Sequence, residues 1–145
     1  MRYLMLDRVL EVEKGVSIVG LKNVTQSEDF FTHHFPDFPV MPGALTLEAM
    51  AQTAGRLICV SRDFSVRPML LSVERARFRQ AVRPGDQMMI KAELQGLGSR
   101  KAEVGVTVQV AGRVVADARL AFVLADISQS SAEAMRRHYE QLCIQ

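Results

Sequence analysis

A chain of 145 residues with 18 Lys and Arg against 16 Asp and Glu carries a formal net charge of +2, too small by itself to imply a nucleic-acid partner. Its 48% apolar and 23% charged content, with no Trp, excludes disordered and collagen-like classes and predicts one domain with an aliphatic core. Cys59 and Cys143 lie far apart with no C-x-x-C spacing, so neither a zinc site nor a redox pair is expected, and no apolar run is long enough to span a bilayer.

The first residues, MRYLMLDRVL, lack the apolar stretch of a signal peptide, which predicts a cytoplasmic protein. Alternation at Leu10 and Val12, a turn at Lys14-Gly15, and a second run from Val16 through Ile18 to Val24 predict an N-terminal hairpin. A proline-rich loop follows. Beyond it Leu47, Met50, Ala51, Ala54, Leu57 and Ile58 recur at helical spacing, and the small, uncharged residues between them predict a helix buried on more than one side. Pro42 suits its first turn, and Gly43 lets another group approach the backbone.

Strand signals return at Leu70 to Phe78 and, after the Pro84-Gly85-Asp86 turn, at Met88 to Leu94. Val104, Val106, Val108 and Val110 alternate strictly, and past Ala111-Gly112-Arg113 so do Val114, Ala116, Ala118, Leu120, Phe122 and Leu124. Antiparallel strands around one long helix make an α+β domain over residues 1–127. In the remaining segment, 128–145, Ser130-x-x-Glu133 fits a capping box and Met135, Tyr139 and Leu142 form a short stripe, so a C-terminal helix packing on the parent domain is expected.

Charge is unevenly spread. Seven arginines between positions 56 and 83 face only Asp63 and Glu74 in that span. An acidic partner steered to this segment and a sheet edge guarded by charge are both consistent with it.

The richest stretch is HHFPDFPVMPGALTLEAMAQ, His33 to Gln52. His34 can accept a proton near neutral pH, and Glu48, on an apolar helix where desolvation disfavours the charged form, could hold one to donate. The helix start at Pro42-Gly43 offers unpaired N–H groups and a positive dipole end to a carbonyl oxygen gaining charge. Together they suit a β-elimination beside a carbonyl. The bland alternatives stay open at this level: a structural histidine among prolines, and a glutamate on a wet helix face.

The same stretch, from His34 to Gln52, resembles the signature of FabZ-type (3R)-hydroxyacyl-acyl carrier protein dehydratases, a His-Phe-Pro-x-x-Pro-x-x-Pro-Gly loop before a Leu-x-x-Glu-Ala-x-Ala-Gln helix. LMLDRVLEVEKG, LLSVERARFRQAVRPGDQM and AGRVVADARLAFVLAD extend the resemblance in order and spacing over about residues 2 to 126. It implies a hot-dog fold, a curved antiparallel sheet wrapped around a central helix, and a homodimer joined edge to edge, with a trimer of dimers as a further assembly. It implies His34 as the base taking the α-proton, Glu48 of the other subunit assisting departure of the hydroxyl, and the Gly43 N–H holding the thioester carbonyl. Pro36, Pro39 and Pro42 would hold the loop by fixing φ. Acyl carrier protein is the implied partner, with Arg75, Arg77, Arg79 and Arg83 as its docking surface. Neither cofactor nor metal, nor nucleic acid, nor membrane insertion is implied. Glu rather than Asp at position 48 implies elimination without isomerisation. Phe30, Phe31, Phe78, Met88 and Met89 are candidates for an acyl tunnel, with plain core as the alternative for each.

The chain departs from the pattern at His33 and Asp37, where the family commonly has Gly, and in the added C-terminal helix. The departures suggest a role in polyketide, polyene or modified-lipid synthesis as an alternative to housekeeping fatty-acid synthesis. A hot-dog thioesterase and a non-catalytic acyl-binding subunit are the rival functional classes.

Overall fold

The computed structural model describes residues 3–143. Its strands are β1 (Arg8–Glu13), β2 (Ser17–Asn23), β3 (Val66–Phe78), β4 (Gln87–Leu97), β5 (Lys101–Val110) and β6 (Arg113–Asp126), and its helices are α1 (Gly43–Ser61) and α2 (Gln129–Cys143). A one-turn 3-10 helix covers Asp29–Thr32. All six strands form a single antiparallel sheet in the order β1-β2-β4-β5-β6-β3. The sheet closes around α1, which touches β2, β3, β4, β5 and β6, and this is the hot-dog arrangement that the sequence resemblance implies.

The strands curve because bulges interrupt the ladder, two of them in β3, between Leu70 and Ser72 and between Val73 and Arg75. The core is aliphatic: Met50, Ala54, Leu57 and Ile58 of α1 pack among Ile18, Met88, Ile90, Val104 and Leu120, all shut away from solvent. At Gly20 of β2 an added Cβ would run into Leu6 Cδ1 and press on the Thr53 side chain, so a residue without a side chain lets helix and sheet approach there. Among the described residues no helix is long and apolar enough to cross a membrane.

Three local expectations are corrected. Leu10 and Val12 are exposed and Val9 is the buried residue of β1, because Leu10 is the extra residue of a bulge between Val9 and Glu11 that breaks the alternation. Pro42 is the N-cap of α1 and helical geometry begins at Gly43. The start of α2 is tied by Ser128, whose Oγ accepts the Ser131 N–H at 3.3 Å, in place of a box opened by Ser130. The expected apolar stripe does pack inward: Leu142 is buried, the Tyr139 ring lies 5.5 Å from that of Phe64, and α2 rests on β1.

Candidate active site

The loop before α1 is held from both ends. Upstream, the buried Lys22 Nζ donates to Glu28 Oε1 at 2.6 Å, and the buried Phe30 and Phe31 rings, 4.5 Å apart, root the 3-10 turn in the core. Downstream, the Met41 N–H donates to the Val82 carbonyl at 2.7 Å. Between them the chain bonds to itself, with Phe35 and Phe38 exchanging N–H···O bonds of 3.1 and 3.0 Å. Pro36, Pro39 and Pro42 remove φ freedom along this segment, so little entropy is left to lose at the site.

His34 is fixed by three bonds. Its N–H donates to the Phe30 carbonyl at 3.0 Å, its carbonyl accepts the Val40 N–H at 3.1 Å, and its Nδ1 lies 3.0 Å from the Val40 carbonyl oxygen. A carbonyl can only accept, so Nδ1 carries the proton and the neutral ring keeps its lone pair on Nε2. The imidazole stacks on the Phe35 ring at 4.2 Å between centroids. Half-buried, it lines a cavity of about 300 Å³ together with Gly43, Thr46 and Phe78.

Gly43 brings the helix terminus into that cavity. Pro42 supplies no capping side chain, and Gly43 lines the cavity with the Phe78 ring over it, so the start of the helix, with its unpaired N–H groups and positive dipole end, borders the space that His34 lines. A carbonyl oxygen acquiring negative charge fits such a terminus.

Glu48 does not share this cavity. It lines a second one of about 370 Å³ with Gln52, Arg56, Arg67, Leu70 and Phe122, and the two sets of lining residues have no member in common. The hollows flank opposite ends of β3: Phe78 borders the first, whereas Arg67, Pro68 and Leu70 border the second. A single chain therefore presents His34 and Glu48 in separate places.

The glutamate is also held. Gln52 Nε2 donates to Glu48 Oε1 at 2.9 Å and to the Tyr3 carbonyl, and Gln52 Oε1 accepts the Met5 N–H at 2.9 Å. Because Met5 can only donate there, the amide orientation follows and its two N–H groups are free for Tyr3 and Glu48. Sequence reasoning gave Gln52 no role. The i, i+4 spacing from Glu48 was the available signal.

The other candidates divide. Phe78 lines the His34 cavity, whereas Phe30, Phe31 and Met88 belong to the buried core and Met89 is half-buried on β4. Arg75 and Arg77 are exposed on β3, Arg79 is paired with Asp117 at 2.8 Å, and the Arg83 guanidinium sits 4.5 Å over the Phe38 ring at the rim of the His34 loop. His33 and Asp37 are exposed.

Comparison with known proteins places the chain in a family. The family model described as FabA-like domain matches residues 1–124. The 3-hydroxyacyl-[acyl-carrier-protein] dehydratase FabZ of Listeria innocua is 39% identical over 128 residues, covering 88% of this chain and 89% of that protein. The FabZ of Caldanaerobacter subterraneus is 38% identical over 125 residues, 86% of this chain and 89% of that protein. Among solved structures, the smu.793 protein of Streptococcus mutans bound to acetyl CoA superposes with a TM-score of 0.69 at 17% identity, covering 89% of this chain and 96% of that one. The dehydratase heterocomplex ApeI:P of Xenorhabdus doucetiae gives 0.61 at 15% identity, with 78% and 92% covered. At such identities these two likenesses concern the fold alone.

Proposed function

The chain belongs to the FabA-like domain family, and from that premise we propose that it is a FabZ-type dehydratase converting 3-hydroxyacyl thioesters on acyl carrier protein to trans-2-enoyl thioesters in fatty-acid or related biosynthesis. The observation that carries the reading is His34: its Nδ1–H is committed to the Val40 carbonyl, its Nε2 is free to accept, and it shares a cavity with the uncapped start of α1.

The chemistry follows from that arrangement. With the thioester carbonyl against the Gly43 N–H, His34 Nε2 takes the proton from the carbon next to the carbonyl, and the electron pair delocalises onto an oxygen stabilised by the helix terminus. The pair returns to form the carbon–carbon double bond as the C3–O bond breaks. Glu48 gives its proton to the departing hydroxyl, which leaves as water, and proton exchange with solvent resets both groups. The presence of Glu at 48 supports elimination without a following isomerisation.

The acid comes from a second copy. β3 is an edge strand of 13 residues with Met69, Leu70, Leu71 and Val73 exposed, an edge that invites pairing. Pairing β3 antiparallel with its own copy about a two-fold axis brings the Phe78 end of one chain beside the Arg67 end of the other, and so one chain's His34 cavity beside its partner's Glu48 cavity. The exposed Arg83 beside that loop, with Arg75 and Arg77, suits an acidic carrier protein. The cytoplasm, where such carriers load their substrates, is the compartment of this reading. The core is residues 1–127, and 128–145 is an extension.

The test is ultraviolet absorbance of the enoyl thioester formed from a short 3-hydroxyacyl thioester. Wild type forms it, and His34→Ala and Glu48→Gln do not. Mixing the two variants restores activity, because one of the two sites in each mixed dimer is intact, giving about a quarter of wild-type turnover after free exchange. Release of free thiol in place of enoyl product would replace the reading with a thioesterase. Failure of the mixture to recover would place base and acid in one chain.

A further inference from the structure

The cavity that contains Glu48 does not end near it. Glu48, Gln52 and Arg56 stand at i, i+4 and i+8 on one face of α1, and their hollow leads into another of about 280 Å³ between α1 and α2; the two share Arg56, Cys59, Arg67 and Met135 as walls. Phe64, Ala134 and His138 close the far end. The passage is mainly apolar, lined by Pro68, Leu70, Phe122 and Met135 on its way.

Where the two hollows meet lie two arginines, the half-buried Arg56 and the exposed Arg67, with no carboxylate beside them among the lining residues. Glu48, at the opposite end, is the one carboxylate among the residues that line either hollow. Arg56 Nε is buried without a hydrogen-bond partner among the described residues. Burial holds the Arg56 guanidinium below its ordinary pKa, and burial together with Arg56 lowers that of His138. The neighbouring Cys59 cannot compensate, since burial pushes its thiol up to about 11 and leaves it neutral. Arginine stays protonated in such surroundings and pays heavily for desolvation unless an anion or acceptor joins it.

We propose that this chamber is the distal end of the acyl site and that Arg56, with Arg67, selects 3-hydroxyacyl chains ending in a carboxylate over chains ending in a methyl group. The inference rests on the dehydratase reading. Eight residues of helix separate Glu48 from Arg56 by about 12 Å, a span that an extended chain of on the order of ten bonds covers. The apolar middle takes the methylenes, and the planar guanidinium takes the terminal carboxylate by two parallel N–H···O bonds. α2 belongs to the site, since Met135 and His138 are part of its wall.

The experiment compares two 3-hydroxyacyl thioesters of thirteen carbons, which leaves about ten bonds beyond the 3-hydroxyl, one ending in methyl and one in carboxylate, on wild type, Arg56→Met and Arg56→Lys. Wild type favours the carboxylate chain in kcat/KM, and Arg56→Met loses that preference by about tenfold to a hundredfold, mainly through a raised KM for the carboxylate chain. Arg56→Lys keeps part of it. Without ligand, Arg56→Met melts at or above the wild-type temperature, since an uncompensated charge has been removed. A wild type that prefers the methyl chain, or an Arg56→Met protein with unchanged preference or a lower melting temperature, overturns the proposal. Calorimetry with decanoate against 1-decanol reads the same site without turnover. If neither thioester reacts but decanoate binds more tightly and loses this in Arg56→Met and Arg67→Met, the anion site stands and the dehydratase reading falls. Equal binding of acid and alcohol sinks the anion site whatever the enzyme does.

Discussion

Replacing Gln52 by Ala tests whether the acid is positioned by the N-terminal segment. The change deletes three hydrogen bonds, those to Glu48, to the Tyr3 carbonyl and from the Met5 N–H, and leaves the partly buried Met5 donor without its acceptor. An orphaned donor of this kind costs about 1–2 kcal/mol, equivalent to a fall in melting temperature of roughly 3 to 7 °C for a domain of this size. The catalytic effect is separate: Glu48 loses the group that sets its carboxyl orientation, and kcat falls by about tenfold to a hundredfold with little change in KM. Gln52→Glu separates the two effects. It still accepts from Met5, so most of the stability returns, but at neutral pH the introduced carboxylate can only accept and offers Glu48 no donor to orient it; activity returns as pH falls and the introduced carboxyl regains a proton to offer. The assays are thermal melting and initial rates of enoyl formation over a range of pH. Loss of stability with kcat intact in Gln52→Ala, or full neutral-pH activity in Gln52→Glu, would show that Gln52 only ties down the N-terminal segment.

Leu71→Lys, at an exposed position of β3, places a charge on the edge expected to pair; light scattering should show the mass of a single chain, and dehydration should fall with it. Arg83→Glu should raise KM for carrier-linked substrate severalfold at low salt while leaving a small thioester unaffected, with the difference shrinking as salt is added. His138 titrates below its ordinary 6.5 in the folded chain, so between that lower value and 6.5 the unfolded chain binds more protons and stability rises with pH. Its contribution is therefore fully present above 6.5 and is lost as pH falls through the folded-state value; His138→Asn should flatten that part of a melting-temperature profile.

What could be read from the sequence was what is local. The spacing from Leu47 to Ile58 specifies α1 because one helix face repeats within a dozen residues, and the resemblance around His34 identifies the loop because its prolines and glycine recur at fixed intervals. Alternation failed at Leu10, since a bulge adds a residue without any mark in the hydrophobic pattern. The tunnel candidates Phe30, Phe31 and Met88 are apolar residues in the core, and apolarity alone does not distinguish a cavity wall from filled interior. Gln52 was invisible as a positioning group because two of its partners, Met5 and Tyr3, stand 47 and 49 residues away in the chain. The arginine surplus was legible as a total but not as an arrangement: Arg79 is neutralised by Asp117, while Arg56 points the surplus inward.

The division of the two hollows between opposite ends of β3 has a kinetic meaning. If, as proposed, the acid comes from a second copy, a lone chain owns half of each of two workplaces and a whole of neither, and newly synthesised protein would be inert until it meets another copy. Specific activity should then be flat at high protein concentration and collapse on dilution below the dissociation constant, in direct proportion to the population of pairs. On that reading, an edge strand that would otherwise be an aggregation hazard would make concentration itself a control on turnover.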